Sequence, residues 1–431
     1  MRSRFIKVVL CFLFCFTLPI AAAHACNVPA SGYGYRIAGS YDATILGTPE
    51  DLKLPGPERI DVRPLVLDIL PGLKRPDVFY YDEGLHCMFA RQKGKAPLVF
   101  LIAGTGANDR SNKVIAMMRA LYKSGFHVIT LPSPSHPNFI ISASRSHVPG
   151  DLAEEAVDLY RVMEIAWKKV RKDVDVSEFH LSGYSLGGTH AAFVAKLDEE
   201  RRVFNFRKVL MLNPAVNLYN SIVKLEDLLD RIPGGRRKIG AWLNLMMARL
   251  TDYYRTGDFT EINTEFLYTA YKAGLFTEDE SGGLIGVSFR ISLAGLIFAS
   301  DVMTRGGYVV PKNRELTGSD PLGDYFLVCF HLSFLDYFDE YFYPYMRKKR
   351  PGMSREALIE SLGLPSIEGY LRSSPKIGVV TNENDFILDR GEIDYLRRLF
   401  GDRAVIYPRG GHLGNLEYRD NMVEFINFFK R

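Results

Sequence analysis

Hydrophobic residues follow two rhythms along this chain, and the switches between them set out its elements. Near-continuous apolar runs occupy 96–103, 126–131 and 209–212, with shorter ones at 178–182, 377–381 and 404–407. Runs of about four to eight such residues suit strands covered on both faces of a parallel sheet. Between these runs the spacing changes to three and four. Val114, Met117, Met118 and Leu121 share one face of a helix predicted over 113–124, and Leu152, Val157, Tyr160, Met163, Trp167 and Val170 form the stripe of a second. Asp151 and Glu154 give that second helix a capping-box-like start, and basic residues close it, as the helix dipole favours. A further helix is predicted over 186–197, and a further strand over 85–91. Strand and helix in alternation predict an α/β fold, with a mostly parallel central sheet and helices on both faces.

The alternation is absent at the two ends of this pattern. Over 29–76, Gly and Pro punctuate short apolar stretches such as 59–70, which suits edge strands and turns, and no function attaches to this part. From 215 to about 373 the segments read as helical and rich in Leu, Met, Tyr and Phe, after which two more strands follow. The simplest organisation is a leader over 1–25, an N-terminal segment with edge strands over 26–84, a first core part over 85–214, a helical cap insertion over 215–373 and a second core part over 374–431. Within the insertion Phe326, Phe330, Phe334, Phe338 and Phe342 recur every fourth residue, predicting one helix across 325–345 with an aromatic stripe. Such a stripe either packs on neighbouring helices or roofs an apolar pocket.

Charge narrows the choice of function classes. The formal net charge is +4 over 431 residues, and the longest basic run is Arg347-Lys348-Lys349-Arg350, read as a solvated helix end. The electrostatic footprint of a nucleic-acid binder is missing. Arg2, Arg4 and Lys7 precede an apolar stretch over 8–20 and then Ala23-His24-Ala25, the pattern of a secretory signal peptide with an Ala-x-Ala cleavage site. The expectation is an exported protein, periplasmic or secreted, whose mature chain starts at Cys26. Lipid attachment there is the minority reading, because His24 is bulky where a lipoprotein signal carries a small residue. No later segment runs to about 18 uninterrupted apolar residues, so no integral membrane span is expected after cleavage. Cys26, Cys87 and Cys329 leave one disulfide open without fixing the pair, and none has metal-ligand spacing.

The sharpest chemical signal is Gly183-Tyr184-Ser185-Leu186-Gly187, set between the strand predicted over 178–182 and the helix starting at Leu186. A serine on a tight strand-to-helix turn is held with its hydroxyl outward, and small residues two before and two after leave room for that turn. With this motif the chain resembles the α/β-hydrolase superfamily over about 85–213 and from 375 to the C-terminus. The resemblance implies a serine, acid, histidine order, matched by Ser185, by Asp385 after the strand at 377–381, and by His412 in Pro408-Arg409-Gly410-Gly411-His412. Glu383 and Asp389 remain rivals for the acid. It also implies an oxyanion hole from the backbone N–H of Leu186 and of Thr105 or Gly106, in the turn Gly104-Thr105-Gly106; Ala103 stands where some lipases carry a histidine. That turn lacks the third Gly of a dinucleotide fingerprint and the Gly-Lys-Ser/Thr of a phosphate loop. The expected activity is cleavage of a carboxylic ester or related acyl bond in a small-molecule or lipid-like substrate, through an acyl-enzyme and with neither cofactor nor metal. A peptidase, an acyltransferase and a non-catalytic envelope binding protein are the alternatives.

Overall fold

The computed structural model describes residues 26–28, 30–57, 59–257 and 264–431, so the predicted leader over 1–25 lies outside the described residues. Among these residues nine strands form one sheet: β1 (Cys26–Asn27), β2 (Val62–Leu67), β3 (Leu85–Ala90), β4 (Ala96–Ile102), β5 (His127–Leu131), β6 (Val176–Tyr184), β7 (Lys208–Leu212), β8 (Ile377–Asn382) and β9 (Ala404–Tyr407). Their order is β1-β9-β8-β7-β6-β4-β5-β3-β2. The pairs from β1 to β5 are parallel, and at one edge β3 pairs antiparallel with both β5 and β2. This is the α/β-hydrolase fold, with β2 as the edge strand expected within 59–70.

Five helices precede β7 in the chain: α1 (Ser40–Leu46), α2 (Asn112–Lys123), α3 (Pro137–Ser142), α4 (Leu152–Val170) and α5 (Leu186–Arg201). Alternation along β4 places them in layers. Leu98, Phe100 and Ile102 join a core with Leu159 and Met163 of α4 and Val194 of α5. Val99 and Leu101 face the other way, onto Val114, Met117 and Leu121 of α2. The chain between β7 and β8 passes through α6 (Leu218–Asp227), α7 (Ile239–Thr256), α8 (Thr264–Lys272), α9 (Glu278–Thr304), α10 (Gly323–His331), α11 (Phe334–Asp336), α12 (Tyr343–Lys349), α13 (Arg355–Ser361) and α14 (Glu368–Ser373). Then α15 (Arg390–Phe400) and α16 (Arg419–Lys430) complete the core, Phe425 and Phe429 of α16 packing on the α2 side. Tyr35, Ala43 and Leu46 pack with Trp242, Met246 and Val287, so the N-terminal segment is bound to the helices of the insertion.

Helix α9 is long and apolar enough to cross a bilayer by length and composition, and most of its apolar stretch is buried inside the protein. Its one buried cation, Arg290, forms a two-pronged pair with Glu226 of α6 and donates to Phe330 O at 3.1 Å.

Two expectations are corrected, the single helix over 325–345 and the return bond of Glu154 at the start of α4. The single helix over 325–345 is broken between α10 and α11, because Ser333 accepts from Asp336 N at 3.1 Å and Asp336 accepts from Ser333 N at 2.7 Å, a capping box that starts a new helix. A π-helical turn over Tyr337–Phe342 then shifts the register. Phe334, Phe338 and Phe342 are buried while Phe326 is exposed, so the five phenylalanines share no common face. The basic run forms the exposed last turn of α12, as expected, and from there Lys349 pairs with Glu154 at 2.7 Å and Arg350 with Asp151. Those acids open α4, where Asp151 accepts from Ala153 N and Glu154 N, and Glu154 turns to Lys349 instead of back to the cap. Finally, Cys87 and Cys329 are buried free thiols.

Candidate active site

Ser185 sits at the junction of β6 and α5 with φ +55° and ψ −129°. For a serine this backbone is strained, and the neighbours hold it there: its N–H donates to Leu212 O at 2.8 Å and its carbonyl accepts from Gly188 N at 2.9 Å. The turn tolerates no side chain at the flanking glycines. A Cβ at Gly183 would lie 2.2 Å from Gly187 O, and one at Gly187 would lie 2.4 Å from the carbonyls of Ala103 and Ile102. The hydroxyl points into a partly exposed position, where His412 Nε2 lies 2.9 Å from Ser185 Oγ.

The other ring nitrogen of His412, Nδ1, lies 3.1 Å from both carboxylate oxygens of Asp385. Asp385 is buried, and its carboxylate also accepts from Asn213 Nδ2 at 2.8 Å and from Ile387 N at 3.3 Å. With a carboxylate as the acceptor beside Nδ1, that nitrogen carries the ring hydrogen and Nε2 is left as an acceptor toward the serine. The rival acids are engaged elsewhere: Glu383 pairs with Arg397, and Asp389 caps α15 by accepting from Glu392 N at 2.9 Å. Most other histidines are likewise committed. His136 accepts from Asn138 N, His147 lies 2.6 Å from Ile140 O, and His190 lies 2.7 Å from Glu155. His127 accepts from Gln92 N, and His180 lies 3.1 Å from Glu178. His331 is exposed at the end of α10.

The turn after β4 approaches the serine closely, for a Cβ at Gly104 would come within 3.1 Å of Ser185 Cβ. Ala107 N donates to Gly104 O at 3.0 Å to close it. Gly106 N already donates to Ser135 Oγ at 2.9 Å, so of the two residues expected to supply the donor here, Thr105 is the one whose N–H remains. Leu186 is the first residue of α5, a position whose N–H has no acceptor within the helix. Thr105 and Leu186 also line an apolar cavity of about 50 Å³, shared with Phe289, Phe334, Phe338 and Phe342 of the insertion. The buried part of the aromatic stripe therefore does both things expected of it, packing on its neighbours and roofing a pocket. Among the described residues no group of three or more His, Cys, Asp and Glu is placed to hold a metal ion.

Sequence reasoning missed the residues that steady these groups. Asn213, at φ +45° just past β7, orients Asp385, and Thr44 of α1 accepts from the backbone N–H of His412 at 2.8 Å. Asn213 had a legible signal, an Asn-Pro step ending a strand; Thr44 had none, since nothing in the order of residues places α1 beside a loop 368 positions away.

No family model and no curated protein matches the chain. Solved structures similar to it include a membrane phospholipase A described as a bacterial virulence factor, at 14% identity over 90% of this chain and 88% of that one, with a TM-score of 0.41. An esterase from Pyrococcus furiosus is similar at 11% identity, 93% and 98% coverage and a TM-score of 0.41. A hyperthermophilic esterase from the archaeon Pyrobaculum calidifontis is similar at 16% identity, 90% and 87% coverage and a TM-score of 0.40. Likeness at this level assigns no chemistry to any residue.

Proposed function

We propose that this protein of α/β-hydrolase fold is an exported serine hydrolase that cleaves a carboxylic ester or related acyl bond, with Ser185 as nucleophile, His412 as base and then acid, and Asp385 as the orienting carboxylate. The observation that supports it most is the continuous chain from Ser185 Oγ through His412, 2.9 Å at Nε2 and 3.1 Å at Nδ1, to a buried carboxylate. In that arrangement Ser185 Oγ attacks the acyl carbon as its proton passes to Nε2. The N–H groups of Thr105 and Leu186 receive the negative charge on the carbonyl oxygen; removing one donor of this kind costs roughly 100- to 1000-fold in kcat. Collapse breaks the bond to the leaving alcohol, which takes the proton from His412, and water then releases the acyl group by the same route.

The cavity beyond Leu186 is where the acyl chain lies in this reading, and the helices over 215–373 are its cap. At about 50 Å³ it has room for a short chain only, given that one water needs roughly 10–15 Å³ of such space. Export rests on the leader, with Arg2, Arg4 and Lys7 ahead of the apolar stretch and cleavage after Ala25.

The test is labelling of the purified mature protein with a fluorophosphonate, followed by turnover of p-nitrophenyl esters of increasing length. Labelling is expected for the wild type and absent in Ser185→Ala and His412→Ala, with acetate to butyrate esters turned over faster than octanoate and longer. A folded wild type that takes no label would instead favour a binding protein, and labelling without ester turnover would favour a peptidase or acyltransferase.

A further inference from the structure

Helix α1 lies outside the strands and helices that carry the serine, yet it touches both loops that carry its partners. Thr44 Oγ1 donates to Ser40 O at 2.9 Å, which fixes the hydroxyl proton and leaves a lone pair facing the backbone N–H of His412 at 2.8 Å. Ser40 Oγ donates to Asn384 O at 2.6 Å, one residue before Asp385. Asn384 returns the contact on two sides, donating to Ala38 O at 3.1 Å and accepting from Gly411 N at 2.9 Å. The backbones are in close contact: a Cβ at Gly411 would fall 2.0 Å from Ser40 O, and one at Gly414 would fall 2.0 Å from Ala43 O.

The histidine loop needs such support. Gly411 has φ +56° and Leu413 has φ +66°, and a leucine in that region persists only where its surroundings over-determine it. Much of what surrounds it comes from the N-terminal segment. Thr48 Oγ1 donates to Gly414 O at 2.9 Å, and Arg409 donates to Tyr33 O and Tyr35 O, each at 2.6 Å. On its far side α1 is tied to the insertion: Ser281 Oγ of α9 donates to buried Asp42 at 2.7 Å, and Ser40 N donates to Glu278 at 3.2 Å. Tyr41 packs edge-on against Phe386, which packs edge-on against the His412 ring.

We infer that α1 is a strut, braced on α9, that sets the position of His412 against Ser185, and that Thr44 is its positioning residue. The inference rests on the serine-hydrolase reading above. Thr44 lines no part of the acyl cavity, so its effect falls on the chemical step and leaves substrate binding alone. A small displacement of a base from its nucleophile is enough to cost on the order of 100-fold.

The experiment compares the wild type, Thr44→Val and Thr44→Ser in the full mature chain. Valine keeps the shape and removes the acceptor; serine keeps the acceptor. Thr44→Val is expected to lower kcat and the fluorophosphonate labelling rate together by about 10- to 100-fold with KM within about twofold, and Thr44→Ser to recover to within about threefold of wild type. If Thr44→Val does not fold, Ser40→Ala serves, which loses one bond to the Asp385 loop and is expected to lower kcat several-fold at unchanged KM. Wild-type kcat in both Thr44→Val and Ser40→Ala, a rise in KM alone, or a Thr44→Ser variant as impaired as valine would overturn the inference while labelling of the wild type left the hydrolase reading standing. A wild type that takes no label would remove that reading, and this one with it.

Discussion

Ser185 pays for its exposure in backbone strain, since a non-glycine residue at φ +55° costs about 1–3 kcal/mol relative to relaxed geometry. Rigid neighbours sustain it, and the two glycines that flank it are fixed by contacts too close for any Cβ. The acid is fixed as tightly. Asp385 is buried with its two oxygens shared among His412, Asn213 and the Ile387 N–H, whereas Glu383 and Asp389 are spent on an ion pair and a helix cap. The expected outcome is therefore sharp at single-residue resolution. Asp385→Asn lowers kcat on the order of 10³- to 10⁴-fold, because the amide no longer favours the proton on Nδ1. Glu383→Gln and Asp389→Asn leave kcat within about threefold, as residues away from the reacting atoms do. Steady-state kinetics of the three variants decide it, and an inactive Glu383→Gln beside an active Asp385→Asn would transfer the role.

At the scale of elements, short helices around the site depend on their caps. α3 is started by His136, whose Nδ1 accepts from Asn138 N at 3.2 Å and so must be unprotonated. Burial, with the nearby His86 adding repulsion, holds the His136 pKa down at about 4, against an ordinary 6.5. A histidine depressed in the folded state contributes full stability above the unfolded value and loses it as the pH falls. The loss thus begins near pH 6.5 and is complete near pH 4, reaching about 3 kcal/mol at roughly 1.4 kcal/mol per pH unit. His136→Asn keeps a capping acceptor and has no such titration, so urea denaturation of the variant at pH 7, 5.5 and 4.5 is expected to show a shallower decline than the wild type. Equal slopes would show that other groups govern the acid sensitivity. The aromatic stripe teaches a related lesson about elements. A spacing of four was legible from Phe326 to Phe342, but the Ser333–Asp336 box and the π turn, both local, broke the helix and turned only the last three rings onto the cavity.

Over the whole molecule, α9 joins the parts. It packs against α1 of the N-terminal segment, against α3 of the core and against α6 and α10 of the insertion, and among its buried charged residues Arg290 is the cation, beside Glu280 and Asp301. Arg290 and Glu226 are each only 4% exposed, so each neutralises a partner that water cannot reach. Arg290→Met is expected to cost about 3–5 kcal/mol by stranding the carboxylate, and the double variant Arg290→Met/Glu226→Leu to regain most of it. Chemical denaturation of the set measures this; an additive double variant would mean the pair is not coupled. The sequence alone determined what depends on near neighbours: the strands and helices of the core, the serine turn with its glycines, the candidates for acid and histidine in the loops after the last two strands, and the presence of a helical insertion. Local spacing encodes burial and turn geometry, so those features could be read in order along the chain. Only the tertiary structure decided which backbone N–H near Gly104 is spoken for, which acid faces His412, how Lys349 and Arg350 tie to α4, and that α1 braces the histidine loop. Each of these depends on contacts between residues far apart in the chain, whose meeting is fixed by how the layers pack and not by any run of residues.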